Sequence, residues 1–211
     1  MSLGPTLYID STECTTELCL IGGKNNTDKS PLALNSACSK HRKGYTAVYE
    51  MLFAQYKNKP LNFAEIGIEA GASLLTWNQF FSQQCKVFAF EYDISKIGLA
   101  KLLNLDNISY CHTDTGNIEY LDETFKRTNV MFDIVIDDSL HDIVHQNNII
   151  KATAKYIKPG GMLIIEDIMR DRHINAYEID LTVWEFHTFI ICHHNNRFCY
   201  DNDKILYLVK R

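Results

Sequence analysis

The sequence predicts a doubly wound α/β chain whose mostly parallel sheet closes with an antiparallel C-terminal hairpin. Three observations carry that reading. From Leu61 onward, short apolar runs alternate with helical stretches, the pattern of strands buried on both faces. A spaced-glycine turn, Glu65-Ile-Gly67-Ile-Glu-Ala-Gly71-Ala-Ser73, joins the first run to the first helix that follows it. Two later runs, Phe132-Asp-Ile-Val-Ile-Asp-Asp138 and Met162-Leu-Ile-Ile-Glu-Asp167, end abruptly in acid.

Residues 1–40 read as irregular, with turns at Gly22-Gly23 and Asn25-Asn26. Tyr45, Val48, Tyr49, Leu52, Phe53 and Tyr56 share one helical face, so a helix begins near Gly44. Strands are expected at 61–67, 86–91, 108–112, 132–137 and 162–166, with helices at 73–82, 95–103, 117–126 and 142–156 between them. Pro159-Gly160-Gly161 marks the turn into the fifth strand. Residues 183–192 and 205–209 flank the turn-rich His193-His194-Asn195-Asn196 and read as a hairpin, although 184–189 is also compatible with a helical start. The sheet then has seven strands, preceded by an N-terminal helical extension.

The 211 residues, 46% of them apolar, suffice for one domain with a substantial core. A formal charge of −5 without a basic run argues against a nucleic-acid footprint. Seven cysteines without a CxxC pair read as reduced thiols, not as a disulfide frame or zinc site. No apolar run approaches the ~20 residues of a membrane span. Met1-Ser2-Leu3 has neither the charged nor the apolar region of a signal peptide. A cytoplasmic location is expected, with no membrane partner; the oligomeric state stays open, a homo-oligomer included.

In open α/β sheets, ligands bind outside the carboxyl ends of the strands, so the loops at those ends face one crevice. Glu91 closes the second strand and can accept from both hydroxyls of a ribose. Asp114 follows the third and can accept from an adenine amino group; alone it is as readily a helix cap. Asp138, Glu166 and Asp167 end neighbouring strands ~4.8 Å apart and can share a hard divalent cation such as Mg²⁺. Glu166 and Asp167 are consecutive, however, and side chains alternate along a strand, so both reach one ion only where the pleat is broken. His141 offers an imidazole, whose unperturbed pKa of ~6.5 suits proton transfer near neutrality. Asp137 reads as the more structural neighbour of Asp138. His145, one turn beyond His141, reads as a supporting contact or as an ordinary helix residue.

The ordered set Glu65-x-Gly67-x-x-x-Gly71, Glu91, Asp114, Asp137-Asp138 and Pro159-Gly160-Gly161 resembles class I S-adenosylmethionine-dependent methyltransferases over roughly residues 60–170. Ile136-Asp137-Asp138-Ser139-Leu140-His141 and Glu166-Asp167-Ile168 resemble more narrowly the metal-dependent macrolide-sugar O-methyltransferases of the macrocin and mycinamicin type, as do Thr27-Asp28-Lys29, Tyr45, Tyr49 and the helix bearing Trp77. Two positions depart from that pattern: Glu69 stands where a glycine is frequent, and Ser139-Leu140 where Gly-Ser is usual.

The resemblance implies a Rossmann-like fold, with residues 1–59 as an extension on a 60–211 catalytic domain. It implies S-adenosylmethionine held by Glu65, Gly67, Gly71, Ser73, Glu91, Asp114 and Asp137, with Lys29 and Tyr45 gripping its carboxylate or closing over it. Asp138, Glu166 and Asp167 would hold Mg²⁺, with Asp138 and His141 catalytic, His141 as base. The expected substrate is a hydroxylated small molecule, a sugar or glycoside foremost. A metal-independent N- or phenol O-methyltransferase, or a non-catalytic nucleotide-binding module of the same fold, are the alternatives.

Overall fold

A computed structural model describes residues 6–34, 43–194 and 201–211. Eight strands form one sheet: β1 (Thr6–Asp10), β2 (Leu61–Ile66), β3 (Cys85–Glu91), β4 (Ile108–His112), β5 (Phe132–Asp137), β6 (Ile157–Ile168), β7 (Trp184–Cys192) and β8 (Lys204–Lys210). Their spatial order is β1-β7-β8-β6-β5-β2-β3-β4. β8 runs antiparallel to both neighbours, and every other pairing is parallel. The seven expected strands are all present, and 184–189 is strand, not helix. The tip of the hairpin at Asn195-Asn196 lies outside the described residues, as do Cys38 and Cys199. Cys14, Cys19, Cys85 and Cys111 are free thiols. Among the described residues no helix is long and apolar enough to cross a membrane.

The N-terminal segment is more ordered than its composition suggests. β1 adds an eighth strand by pairing in parallel with β7 along its whole length. It is followed by α1 (Glu17–Lys24), whose Thr16 side chain accepts from the Cys19 N–H at 3.3 Å. The remaining helices are α2 (Tyr45–Phe53), α3 (Ala72–Phe80), α4 (Ile94–Lys101), α5 (Ile118–Thr128) and α6 (Ile143–Thr153). Asp93, Asn117 and Asp142 cap α4, α5 and α6 with side-chain acceptors.

Alternation along the strands sends neighbouring residues to opposite faces, and each face is covered. Phe63, Ile134 and Ile164 join Tyr49, Phe53, Trp77 and Phe81 on the face under α1–α3. Ala64, Val135 and Leu163 join Phe125 and Ile149 on the face under α5 and α6, where Phe90 stacks on Phe125 at 4.3 Å between centroids. Each fully buried aromatic contributes roughly 1.5–3 kcal/mol of transfer free energy.

The chain winds outward from β2 through β3 to β4, then returns to the other side of β2 with β5. The topological switch therefore lies between β2 and β5, where a crevice opens. Ile66 pairs with Asp137 in register there, and the Asp138 N–H donates to the Ile66 carbonyl at 2.8 Å. Gly67 turns at φ 84° directly against this loop; a Cβ on it would stand 2.2 Å from the Asp138 carbonyl oxygen. The first glycine of the motif is thus demanded twice, by backbone conformation and by the close approach of two strand ends.

Candidate functional site

A cavity of about 870 Å³ occupies the switch point. Gly67, Ser73, Glu91, Asp114, Asp138 and His141 line it, together with Asn26, Thr27 and Asp28 from the N-terminal segment. Its volume falls in the range of ~300–1,000 Å³ common for small-ligand sites. Glu91 is buried, and three backbone N–H groups fix its carboxylate: Ile68 at 3.1 Å, Tyr92 at 2.9 Å and Asp93 at 3.0 Å. An ionised carboxylate has about four acceptor sites, so one remains for a ligand hydroxyl. Asp114 accepts from the Gly116 N–H at 2.8 Å through one oxygen. His145 also lines the cavity, its Nδ1 2.8 Å from the Thr115 hydroxyl.

Several residues expected around the cofactor sit behind the cavity wall instead. Glu65 is fully buried and accepts from Ser73 Oγ at 2.7 Å and Trp77 Nε1 at 3.0 Å, tying the glycine loop to α3. Gly71, at φ 91°, starts α3 and packs against Ala100 and Leu103. Asp137 is buried and accepts from the Ser139 N–H at 3.1 Å and hydroxyl at 2.6 Å, bracing the loop that carries Asp138. Tyr45 and Lys29, expected to grip the cofactor, are both buried and face the acidic strand ends.

The acids divide into two groups. Lys29 Nζ lies 2.5 Å from Asp138 Oδ2, 2.6 Å from Glu166 Oε2 and 3.7 Å from Glu65 Oε1. Glu166 also accepts from the Tyr49 hydroxyl at 2.5 Å. Each of its oxygens accepts one hydrogen bond, and it is not in the metal-competent group found among the described residues. That group is Asp138, His141 and Asp167, one ligand atom from each lying within 4.8 Å of the others.

Asp167 escapes the alternation problem by leaving the pleat. Its φ is 56°, and the β6–β8 register shifts between Ile165 and Ile168. Both consecutive carboxylates consequently face α2. There Tyr49 meets Glu166, and Tyr45, one turn earlier, donates to Asp167 at 2.8 Å. Asn202 Nδ2 donates to the other Asp167 oxygen at 3.0 Å, and the buried Lys43 stands 3.4 Å away. His141 is likewise at positive φ, 53°; its Nε2 lies 3.7 Å from Asp167 Oδ2, and Arg172 donates to its carbonyl at 3.1 Å. Two of the three residues in this group thus take the left-handed backbone conformation.

Sequence reasoning missed Lys43, Asn202 and Asp28. Only Asp28 left a signal, because it lies in the Thr27-Asp28-Lys29 segment that resembles the sugar O-methyltransferases.

Electrostatics follow from burial. Burial, chiefly, and then Asp138 push Asp28 up to about 6. Burial pushes Asp137 to about 6 against the Ser139 hydrogen bonds, and carries Glu166 well above the carboxylate range despite Lys29. Burial works to lower Lys29, but Asp138, Glu166 and Glu65 outweigh it and hold the ammonium well above its ordinary value. Tyr45 and Tyr49 are raised well above 10 by burial and by the adjacent acids, so they stay neutral donors.

Glu65 is raised by burial from 4.5 to about 7. The folded chain thus keeps a proton that the unfolded chain releases near 4.5, so stability falls as pH rises from about 4.5 to about 7. The loss is roughly 3 kcal/mol at ~1.4 kcal/mol per unit. Urea denaturation across that range is expected to show this slope, and Glu65→Gln to flatten it; an unchanged slope in the variant would count against the assignment.

Two carboxylates and one imidazole converging within a single ion's reach fit a divalent cation, and Lys29 meets this group at Asp138 and Lys43 at Asp167. The cavity fits a nucleoside: acid-ended strands, a close-approach glycine and a tight strand-to-helix turn line one crevice.

No protein-family model matches the chain. It is 27% identical over 172 residues to mycinamicin VI 2''-O-methyltransferase of Micromonospora griseorubida, covering 76% of this chain and 41% of the relative. It is 30% identical over 131 residues to a Streptomyces olivaceus tetracenomycin-C rhamnosyl 3'-O-methyltransferase, covering 59% of this chain and 32% of the relative. The solved MycE methyltransferase of mycinamycin biosynthesis, in complex with Mg and SAH, superposes with a TM-score of 0.58 at 27% identity, over 72% of this chain and 37% of that one. The same methyltransferase has been solved with mycinamycin VI. The chain spans less than half the length of these relatives. Its fold is that of the class I S-adenosylmethionine-dependent methyltransferases, and its relatives are sugar O-methyltransferases of the mycinamicin, tetracenomycin and macrocin type.

Proposed function

We propose that this chain is an S-adenosylmethionine-dependent, divalent-cation-assisted O-methyltransferase acting on a hydroxyl of a sugar or glycoside. The observation that carries the reading is the adjacency of two sites. Asp138 and His141 belong to the metal-competent group and also line the nucleoside-sized cavity. A hydroxyl bound at Asp138 would therefore lie beside a methyl donor in that cavity.

S-adenosylmethionine supplies an electrophilic methyl group when bound, and the cation stabilises the oxyanion that develops on the acceptor. Asp138 and Asp167 would hold the cation, with Tyr45 and Asn202 fixing Asp167 from behind. Glu166, held by Lys29 and Tyr49, would stand beside that pair as a further acid able to serve as a third ligand. His141 Nε2 takes the acceptor's proton, and Asp167 at 3.7 Å stabilises the imidazolium that results. Its Nδ1 is buried, which leaves Nε2 as the nitrogen open to substrate. Glu91 would accept from one ribose hydroxyl and Asp114 from adenine, and the Gly67 turn lets the cofactor approach the backbone.

The test is transfer of a labelled methyl group from S-adenosylmethionine to a panel of glycosides, with Mg²⁺ and after chelation. Transfer that needs the cation supports the proposal; full-rate transfer in chelated protein contradicts it. His141→Ala is expected to lower the rate by about a hundredfold or more, losing the acid limb of its pH profile, with Mg²⁺ affinity retained. A loss of Mg²⁺ affinity instead would make His141 a ligand; an unchanged rate at every pH would remove it as the base.

A further inference from the structure

Among the described residues, four side-chain atoms are buried without a hydrogen-bond partner: Glu65 Oε1, Thr113 Oγ1, Asp137 Oδ2 and His141 Nδ1. Glu65 Oε1 has the Lys29 ammonium 3.7 Å away, and Thr113 belongs to the cavity wall. The other two lie on one short loop, Asp137 where β5 ends and His141 just before α6. One is an acceptor without a donor, and the other is a ring nitrogen able to donate. Buried polar atoms are seldom left so, and each unmet one is costly. The loop between them is pinned. Asp137 Oδ1 accepts from the N–H and hydroxyl of Ser139, and the Asp138 N–H donates to the Ile66 carbonyl.

The neighbouring donors are turned elsewhere. Tyr177 is close enough to feel the Asp137 charge, but its hydroxyl donates to Gln146 Oε1 at 2.8 Å. Arg172 Nη1 is turned to the His141 carbonyl at 3.1 Å. Burial raises the Asp137 carboxyl, and Ser139 and then His141 work against it, so the imidazole already acts on this carboxylate. Proton transfer makes the same demand from the ring's side. A neutral imidazole has one N–H and one open nitrogen. If Nε2 is to take a proton, Nδ1 must carry the hydrogen, and a buried N–H needs an acceptor. Hydrogen bonds in unliganded catalytic sites are often long or poorly aligned and close in the loaded complex.

We infer that Asp137 is a positioning residue: its Oδ2 accepts the Nδ1–H of His141 and fixes the imidazole with Nε2 as the open nitrogen. This rests on His141 being the base proposed above. The test is proton–nitrogen correlation NMR on the full chain with isotope-labelled histidine, in buffer alkaline enough to keep the imidazole neutral. The His141 signal is assigned by its absence in His141→Ala. The wild-type chain is expected to carry the hydrogen on Nδ1. Asp137→Asn keeps an oxygen for Ser139 and puts an amide N–H₂ in the place of Oδ2. That group donates to Nδ1, so the variant is expected to move the ring hydrogen to Nε2. Methyl transfer is expected to fall by about a hundredfold or more, with S-adenosylhomocysteine affinity within about twofold, which also shows that the variant is folded. Added to His141→Ala, the same change is expected to cost less than about threefold, because its effect passes through the imidazole. A wild-type hydrogen on Nε2 would overturn the inference without recourse to any variant. So would an unchanged tautomer in Asp137→Asn, or a loss that multiplies in full with that of His141→Ala, the mark of a merely structural role. A matching loss of S-adenosylhomocysteine affinity would give Asp137 to the cofactor instead. If the tautomer switches as expected but the wild-type chain transfers no methyl group, the hydrogen bond stands and the reading of His141 as base fails.

Discussion

Asp138→Asn is expected to lower methyl transfer by about a hundredfold or more while leaving S-adenosylhomocysteine affinity nearly unchanged. Asp138 belongs to the metal-competent group and borders the cavity, so it stands where cation and acceptor oxygen would meet. Its backbone is held independently of its charge, since its N–H donates to the Ile66 carbonyl. The amide can still accept from Lys29, so the fold is spared. What is lost is one anionic ligand, and with it much of the several kcal/mol that a bound cation contributes to a developing oxyanion, each ~1.4 kcal/mol being tenfold in rate. Mg²⁺ titration should show weaker binding in parallel with the rate. A variant that keeps its rate but loses the nucleoside would move Asp138 from the cation to the cofactor.

Lys29→Met should produce the largest loss of stability. Lys29 and Glu166 are almost wholly buried, and Asp138 is mostly so, which leaves little solvent to screen them. Removing one partner of a buried pair costs about 3–5 kcal/mol, because the remaining charge stays buried. For a chain of this size that lowers the thermal midpoint by roughly 10 °C or more. The loss must depend on pH. Glu166 is already raised by burial, and without Lys29 it rises further, so at low pH it takes a proton and the penalty shrinks. The deficit is therefore greater at pH 8 than at pH 5, and added Mg²⁺ should recover part of it at pH 8. Equal deficits at both pH values would show that Lys29 contributes by packing its stem and not by balancing charge.

Much of this was legible in the sequence because it is local. Apolar runs gave the strands, and an acid at a strand's end must face the carboxyl-end crevice wherever the strand lies. That logic placed Glu91, Asp114, Asp138 and His141 on one cavity. The Thr16 cap, with Glu17 and Lys24 at opposite ends, was a usable signal for α1 that the glycine and asparagine pairs obscured. β1 left almost none: nearly every position is exposed, so its five residues show no burial pattern, and its order comes from pairing with β7, far away in sequence.

The division between Glu166 and Asp167 was not legible either. It depends on one left-handed backbone conformation and on two tyrosines a turn apart on α2, contacts made across more than a hundred residues of sequence. The same holds for Lys29, whose three acid neighbours come from three separate strand ends. Charge chemistry named the participants, and only tertiary packing could say which acid meets which cation.

Calorimetric titration of the chain with S-adenosylhomocysteine tests the central claim most directly, since the cavity at the β2–β5 switch is either a nucleoside-cofactor site or it is not. The account predicts one site per chain with a dissociation constant in the micromolar range, weakened by Glu91→Ala. Absence of binding at millimolar concentration, for S-adenosylhomocysteine and S-adenosylmethionine alike, would contradict it.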